Sequence, residues 1–515
     1  MLIRFTLFHF SPFSLFMPDH FISRERAEID LLDCAAFLAE RVKSADGHAE
    51  AMGEIVPRYL ALGDVDLAAE LANAIADPFS RDRLLIQVAQ KCAEIDDDEY
   101  ALQLAESVDD HGLRAQALER LALVKAARSQ PEKAAEIATL MEHPDFVFAG
   151  IAVNHALTGN EAAAEKVLSE IEFPAARANA LQQIAALQLA DDKKDQAAET
   201  LGAAFIAVSE IEHDEERLRA LCDIGNLYND AGRKDKAIET FDRAKADAEL
   251  LDNMLRDYFL VNCALGFLYA GSEELSDRTL DLVSDKTQMA SALIGISRDH
   301  WRKDAQEDAL DSLDEAYEIL RSQREIETRD SRARNATMSS IAVQFAGFGK
   351  FERAVEIAQE NPDPAEQYRS LTQIAKIQAS HGEDELARLT INSIDEDSVR
   401  LFALIGVSDT KTSRDQPDAA IALLDEAAEL AETVPQFASR SAVLNEIAAR
   451  YFKAGQADKA RAATHESLNV IAQIRDESSQ AATLAAIADL YSTAAVELND
   501  QEREHLARLV RKVDW

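Results

Sequence analysis

The chain has 515 residues, 94 Asp and Glu against 54 Lys and Arg for a net charge of -40, and 47% hydrophobic side chains, with aromatics only 6% of residues. With only 17 Gly and 11 Pro it is too poor in turn formers for most β-rich architectures, and the Ala- and Leu-rich remainder favours closely packed helices over disorder. The acidity argues against nucleic acid and anionic membranes as partners, since both recruit Lys and Arg to displace counterions.

In chain order, residues 1–16 (MLIRFTLFHFSPFSLF) come first. They are apolar and carry Arg4, but they are too short to span a bilayer, are interrupted by Pro12 and lack a small-residue cleavage site. They read as a poor export signal or a misassigned start, and initiation at Met17 is preferred because nothing before it resembles the rest. Residues 17–47 contain ERAEIDLLDCAAFLAERVK, expected as one unpaired amphipathic helix capping the open end of a helical array. Residues 498–515, which contain QEREHLARLVRKVDW, trade small residues for charge and read as a cap for the other end.

Between them, over 48–497, one pattern recurs thirteen times. Its anchors are Ile55, Val88, Leu121, Ile151, Ile184, Ile224, Cys263, Ile296, Ile341, Ile374, Val407, Ile447 and Ile487. Three residues earlier stands Leu, Met or Phe in every unit. One residue later stands Ala, Gly or Ser in every unit but the first, and thirteen later Ala in all but Ser276 and Asp500. Gly63, Gly159, Gly232, Gly271, Gly349, Gly382 and Gly455 each fall eight after an anchor, where a helix needs a left-handed end. Each unit is therefore predicted as helix, tight turn, helix.

Pro78, Pro144, Pro174 and Pro364 lie twenty-three after their anchors and are expected to stop the second helix, whereas Pro131 and Pro417 suit its first turn. Pro57 falls inside a first helix and predicts a kink. The units anchored at Ile184, Ile224, Ile296, Val407 and Ile447 are six to twelve residues longer, which predicts about two extra turns of second helix.

Segments such as LCDIGNLYNDAGRKDKA and LNEIAARYFKAGQADKA resemble the tetratricopeptide repeat, with HEAT-type helical pairs as the rival architecture. The match runs over roughly residues 48–511. This sequence departs from that family's pattern by placing Leu or Met at its aromatic first position and by using mixed unit lengths. The resemblance implies an all-α, right-handed α-solenoid, a superhelix of about thirteen units, and is nearly silent about function.

Eight units carry Arg seven before the anchor: Arg81, Arg114, Arg177, Arg217, Arg256, Arg334, Arg400 and Arg440. They form either a ladder for acidic ligands or, preferred for residues tied to the repeat frame, partners for carboxylates and free carbonyls at the preceding helix end. No phosphate loop, HExxH, CxxC, nucleophile elbow or calcium loop occurs, so no enzyme, cofactor or metal is expected. The run IDDDEY at 95–100 reads as a solvated loop with an N-cap. Cys34, Cys92, Cys222 and Cys263 are scattered, as suits reduced thiols in a cytoplasm.

The candidate site is the face of each first helix opposite the anchor, at five and two before it and two and five after. In this family that face lines the concave surface. Across thirteen units it holds Arg83, Arg219, Arg298, Arg369 and Lys376 against Glu50, Glu119, Asp409 and Asp489, a sum of +1 in a chain of -40. Crowding between alanine-rich helices would give the same lack of charge. The sharper reading selects Arg219, Asn226, Asn229, Asn262, Arg298 and Trp301 as donors and aromatic area for an extended or helical peptide with an acidic group. These residues point to a non-catalytic scaffold or adaptor for a partner protein or peptide. The alternatives are a regulatory array sensing a peptide or small ligand, and an envelope or secreted assembly protein if residues 1–16 are a true signal.

Overall fold

The computed structural model describes residues 21–322 and 331–513, so the apolar stretch 1–16 lies outside the described residues. Compactness divides the chain into a central body, Ala115–Ala427, and a terminal body made of the chain up to Arg114 together with Ala428 onward.

Among the described residues the secondary structure is helical, with no strand. Twelve units form helix pairs, from Ala45–Leu62 with Val65–Asn73 in repeat 1 to Phe437–Lys453 with Ala457–Ile471 in repeat 12, and Glu477–Ala494 is the first helix of repeat 13. The anchors Ile55, Ile224, Cys263, Ile341 and Ile447 are fully buried, as are Ala68, Ala197, Ala237, Ala309 and Ala460 thirteen residues on. A side chain no larger than alanine at that second position lets the two helices of a unit meet closely. The fold is an all-α solenoid-type array of helix-turn-helix units.

The turns follow one conformation. The residue eight after the anchor has positive φ in all thirteen repeats: the seven predicted glycines, and Asp96, Ser129, Asp192, Asp304, Asp415 and Ala495 where glycine is missing. Asp tolerates the left-handed region better than most residues, which explains why four of the six substitutes are Asp. Repeats 5, 6, 8, 11 and 12 carry second helices of 15 or 16 residues, against 8 to 10 in repeats 1–4, 7, 9 and 10, so the length differences sit where the sequence predicts.

Pro131 and Pro417 open second helices as expected, Pro131–Ala138 and Pro417–Ala431, but the four prolines twenty-three after their anchors act differently. The second helix of repeat 1 already ends at Asn73, and Pro78 opens the next first helix, Pro78–Glu94, with Asp77 accepting from the Ser80 amide at 2.8 Å. Pro174 and Pro364 open Pro174–Ala190 and Pro364–His381 likewise, and Pro144 is an N-cap. Their fixed φ and missing N–H suit a helix start, so they mark the entry to the following repeat. Pro57 does lie inside its helix, Ala45–Leu62.

In the terminal body, residues 24–39 form two helices, Arg24–Ala27 and Leu31–Ala39, rather than one. Every residue of Leu31–Ala39 is buried. It packs on Glu477–Ala494 about as extensively as second helices pack on their own first helices, and also on Ala45–Leu62. The C-terminal helix Asp500–Val513 packs on Leu31–Ala39, Arg24–Ala27 and Ala457–Ile471. The helix from the start of the chain thus occupies the second-helix seat of repeat 13, which ties the two chain ends together within this body. Arg58 Nε to Asp489 at 2.8 Å and Ser478 Oγ to Glu50 at 3.2 Å add polar ties across the same contact.

In the central body the core of repeats 5 to 7 centres on Phe241, fully buried on Lys234–Glu249 and edge-on to Phe267 at 5.9 Å. Its ring fits because the facing positions on Asp214–Asp230 and Leu255–Ala270 are Gly225 and Gly266; a Cβ at Gly225 would stand 2.6 Å from Phe241 Cζ.

Candidate partner-binding face

The arginines seven before the anchor belong to the frame. Arg81 pairs with Asp82 at 2.8 Å and Asp109 at 2.6 Å, Arg217 with Asp247 at 3.0 Å and the Ile211 carbonyl at 2.9 Å, and Arg256 with Asp257 at 2.7 Å and the Leu282 carbonyl at 3.1 Å. Arg114 and Arg400 reach the Val108 and Ile394 carbonyls, Arg177 and Arg440 reach Glu210 and Glu466, and Arg334 reaches Asn335. The next residue often adds a second tie: buried Asp82 accepts from the Asp109 amide at 3.0 Å, and Asp257 from the Ser284 and Asp285 amides at 2.7 and 2.6 Å. These hydrogen bonds outweigh burial and hold the Asp257 carboxyl below its ordinary value. The arginines are therefore engaged by the protein itself, which leaves no ladder free for a ligand.

Burial narrows the candidate face from four rows to two. The row two before the anchor is buried at Ile86, Cys222, Val261, Ile294, Ser339, Ile405 and Asn445. The signal was in the sequence, since most of these side chains are apolar or small. The rows five before and two after the anchor remain open. In the central body they carry Arg219, Arg298, Arg369 and Lys376 against the single acid Asp409, and exposed aromatics at Phe146 (50%), Tyr258 (43%) and Phe402 (51%).

The six selected residues lie on three successive first helices, Asp214–Asp230, Leu255–Ala270 and Lys286–Arg302. Arg219 is exposed and pairs with Glu215 at 2.8 Å, and Asn226 is exposed. Asn262 donates to the Tyr258 carbonyl of its own helix at 2.9 Å. The other three tie repeats together: Asn229 Nδ2 donates to the Gly266 carbonyl at 3.0 Å, Arg298 Nε to Gln344 Oε1 at 2.6 Å, and Trp301 stacks on Phe348 with centroids 4.1 Å apart. Gln344 and Phe348 were missed because they sit three and seven residues after their anchor, off the rows considered. Lys376 lies across Gly406 of the next repeat, where any side chain would collide with it.

Asp299, in the DHW stretch, is buried and pairs with Arg302 at 2.7 Å and Lys303 at 2.8 Å. Asp97 caps its helix through the Tyr100 amide at 3.4 Å. Among the described residues no group of three or more His, Cys, Asp or Glu could hold a metal ion, and no helix is long and apolar enough to cross a membrane. All four cysteines are free and buried, and burial pushes the Cys92 thiol up to about 11.

The frame of anchors, small residues and thirteen left-handed turns defines a helix-turn-helix repeat. No protein-family model matches the chain, and no curated protein matches it. Among solved structures it is similar to Ton1535 from Thermococcus onnurineus NA1 (17% identity, 68% of this chain and 97% of that one, TM-score 0.25). It is also similar to TPR-like repeats of a putative kinesin light chain from Podosopora anserina (17%, 52% and 99%, TM-score 0.20) and to yeast Tom70 (14%, 87% and 97%, TM-score 0.26).

Proposed function

We propose that the central body is a non-catalytic docking platform that holds a partner protein or peptide along the two open rows of its first helices. The observation that carries this reading is the charge reversal: four of five charged residues on these rows are basic in a chain of net -40. Exposed Phe146, Tyr258 and Phe402 supply aromatic area beside them. A partner segment with acidic groups and apolar anchors complements that mixture, with Arg offering bidentate donors to carboxylates. A cytoplasmic location fits the four reduced thiols. The regulatory reading, in which a peptide or small ligand alters the array, remains the second proposal and concerns the same rows.

The test is co-purification from native cells with a triple variant, Arg219→Glu, Arg369→Glu and Phe402→Ala, whose side chains are exposed on the open rows. A partner that is lost with the triple variant and weakens with salt supports the platform. A partner retained at wild-type strength moves the site elsewhere. Trp301→Ala is unsuited as a probe, because loss of the Phe348 stack disturbs the packing between repeats.

A further inference from the structure

The two open rows change character from one repeat to the next. In repeats 6, 8 and 10 they carry Arg219, Arg298, and Arg369 with Lys376. In repeats 7, 9 and 11 they carry Tyr258 with Leu265, Ala336 with Val343, and Phe402. Six successive repeats therefore alternate basic and apolar, with Asp409 of repeat 11 the single acid among them. Repeats 3 to 5 have no charge on these rows, so the alternation is confined to the stretch from Asp214–Asp230 to Asp397–Ser413.

Both kinds of side chain are presented outward. Tyr258 and Phe402 are 43% and 51% exposed, and the Arg219 and Arg369 side chains 62% and 67%. Arg219 is tied to Glu215 and Arg369 to Glu366, each at 2.8 Å and each within its own helix, while Arg298, also exposed, gives Nε to Gln344 at 2.6 Å. A guanidinium has five N–H donors in a fork, so one such tie leaves donors for a carboxylate from outside.

The spacing of the alternation selects the form of the ligand. Consecutive first helices in this stretch pack directly on one another, which sets a step of about 8–10 Å between repeats. A ligand that follows the alternation must place an acidic and an apolar group in turn on one side, one group per step. A β-strand does not, because residues three apart point to opposite faces. An α-helix returns to the same face only after seven residues, roughly 10.5 Å, and falls out of step over several repeats. A polyproline II segment has three residues per turn at about 3.1 Å each, so every third side chain lies on one face about 9.3 Å further on.

We infer that repeats 6 to 11 bind an extended partner segment in the polyproline II conformation, in which every third residue is alternately acidic and apolar. Its carboxylates meet Arg219, Arg298 and Arg369, and its apolar side chains meet Tyr258, Val343 and Phe402. The inference rests on the docking-platform reading and specifies the chemistry and register of that partner. Such a segment is largely ordered before it binds, so little conformational freedom is lost on docking.

The test is calorimetric titration of the full chain with three synthetic peptides. One is Glu-Pro-Pro-Leu-Pro-Pro repeated three times. The second has the same composition in blocks, three Glu-Pro-Pro followed by three Leu-Pro-Pro. The third is an alanine-rich helix with Glu and Leu alternating at seven-residue intervals. The alternating peptide is expected to bind saturably, at least about tenfold more tightly than the block peptide, and more weakly as salt rises. Arg369→Leu is expected to lower that affinity about tenfold and to regain it with a peptide whose third Glu is replaced by Leu. Circular dichroism establishes that the variant is folded; should it unfold, Arg219→Leu with the first Glu replaced serves instead. Equal affinity for the alternating and block peptides overturns the inference, as do tighter binding of the helical peptide, no binding of the alternating peptide up to about 1 mM, or no recovery with the matched peptide. None of these outcomes touches the platform itself, which fails only if the native partner survives the triple variant.

Discussion

The terminal body and the central body are built from the same repeat but closed in different ways. The central body is a run of consecutive units whose neighbours are also neighbours in sequence, as is usual for solenoids. One large ring there is set between two glycines, Phe241 against Gly225 and Gly266. The terminal body joins the two chain ends, because the helix Leu31–Ala39 fills the second-helix seat beside Glu477–Ala494. Two of its buried polar sets are closed, Tyr59 with Asp33 and Arg26, and Tyr491 with Glu502 and Arg461. Local contacts suffice for one body, while the other depends on a contact between residues far apart in sequence.

Removing the chain through Ala39 should separate the two most strongly. It uncovers the seat of Leu31, Leu32, Phe37 and Leu38, all at most 5% exposed. At about 1.5–3 kcal/mol for each apolar side chain the loss is roughly 6–12 kcal/mol, comparable to the whole stability of a typical domain. Hydrogen exchange should show Glu477–Ala494 losing protection while Asp214–Asp230 and Leu255–Ala270 keep theirs; equal loss in both would erase the distinction.

The complementary break is Gly266→Ala, whose Cβ would fall within contact of the Phe241 ring. Overpacking should cost about 1–3 kcal/mol, read by exchange in the central body, and Phe241→Leu in the same chain should recover part of it. Asp33→Ala should cost about 1–3 kcal/mol in the terminal body by stranding the Tyr59 hydroxyl. A denaturant midpoint no different from wild type would show that this polar set contributes nothing.

A histidine-linked pH dependence is expected in the terminal body. Burial, followed by Arg508 and His465, holds His505 below its ordinary 6.5, with Glu504 and Glu502 opposing. The unfolded chain then takes up a proton before the folded one does. Stability is therefore full above about 6.5 and falls as pH drops through the lower folded value. His505→Gln should flatten that slope in exchange experiments on Asp500–Val513. The smallest effect expected is at the turn of repeat 13, where Ala495 adopts φ 51. Ala495→Gly should raise the thermal midpoint by the equivalent of no more than about 1 kcal/mol.

Most of the array was legible because a repeat writes the same physical requirement many times. The anchor row, the small residue after it and the left-handed position eight residues on are each readable in one unit and confirmed by the others. The long second helices were legible from spacing alone. Pro78, Pro144, Pro174 and Pro364 misled because a residue that cannot continue one helix also favours the start of another, and spacing does not separate the two roles. The meeting of residues 31–39 with residues 477–494 could not be read, since nothing in an amphipathic helix names a partner so distant. On the candidate face, helical geometry defined four rows on each first helix. It could not tell which rows the neighbouring repeat would cover, so Asn229, Arg298 and Trp301 were grouped with freer side chains such as Arg219 and Asn226.

The joined ends impose an order on synthesis. Leu31–Ala39 leaves the ribosome early, but the helix it packs against, Glu477–Ala494, is made about 440 residues later. At about 5–20 residues per second that is a wait of roughly 20–90 s. During this time the central body can form unit by unit, while Leu31, Leu32, Phe37 and Leu38 lack their covering helix. A newly made chain is thus most exposed to aggregation at its oldest end, and a nascent-chain chaperone would be needed there until the last helices emerge.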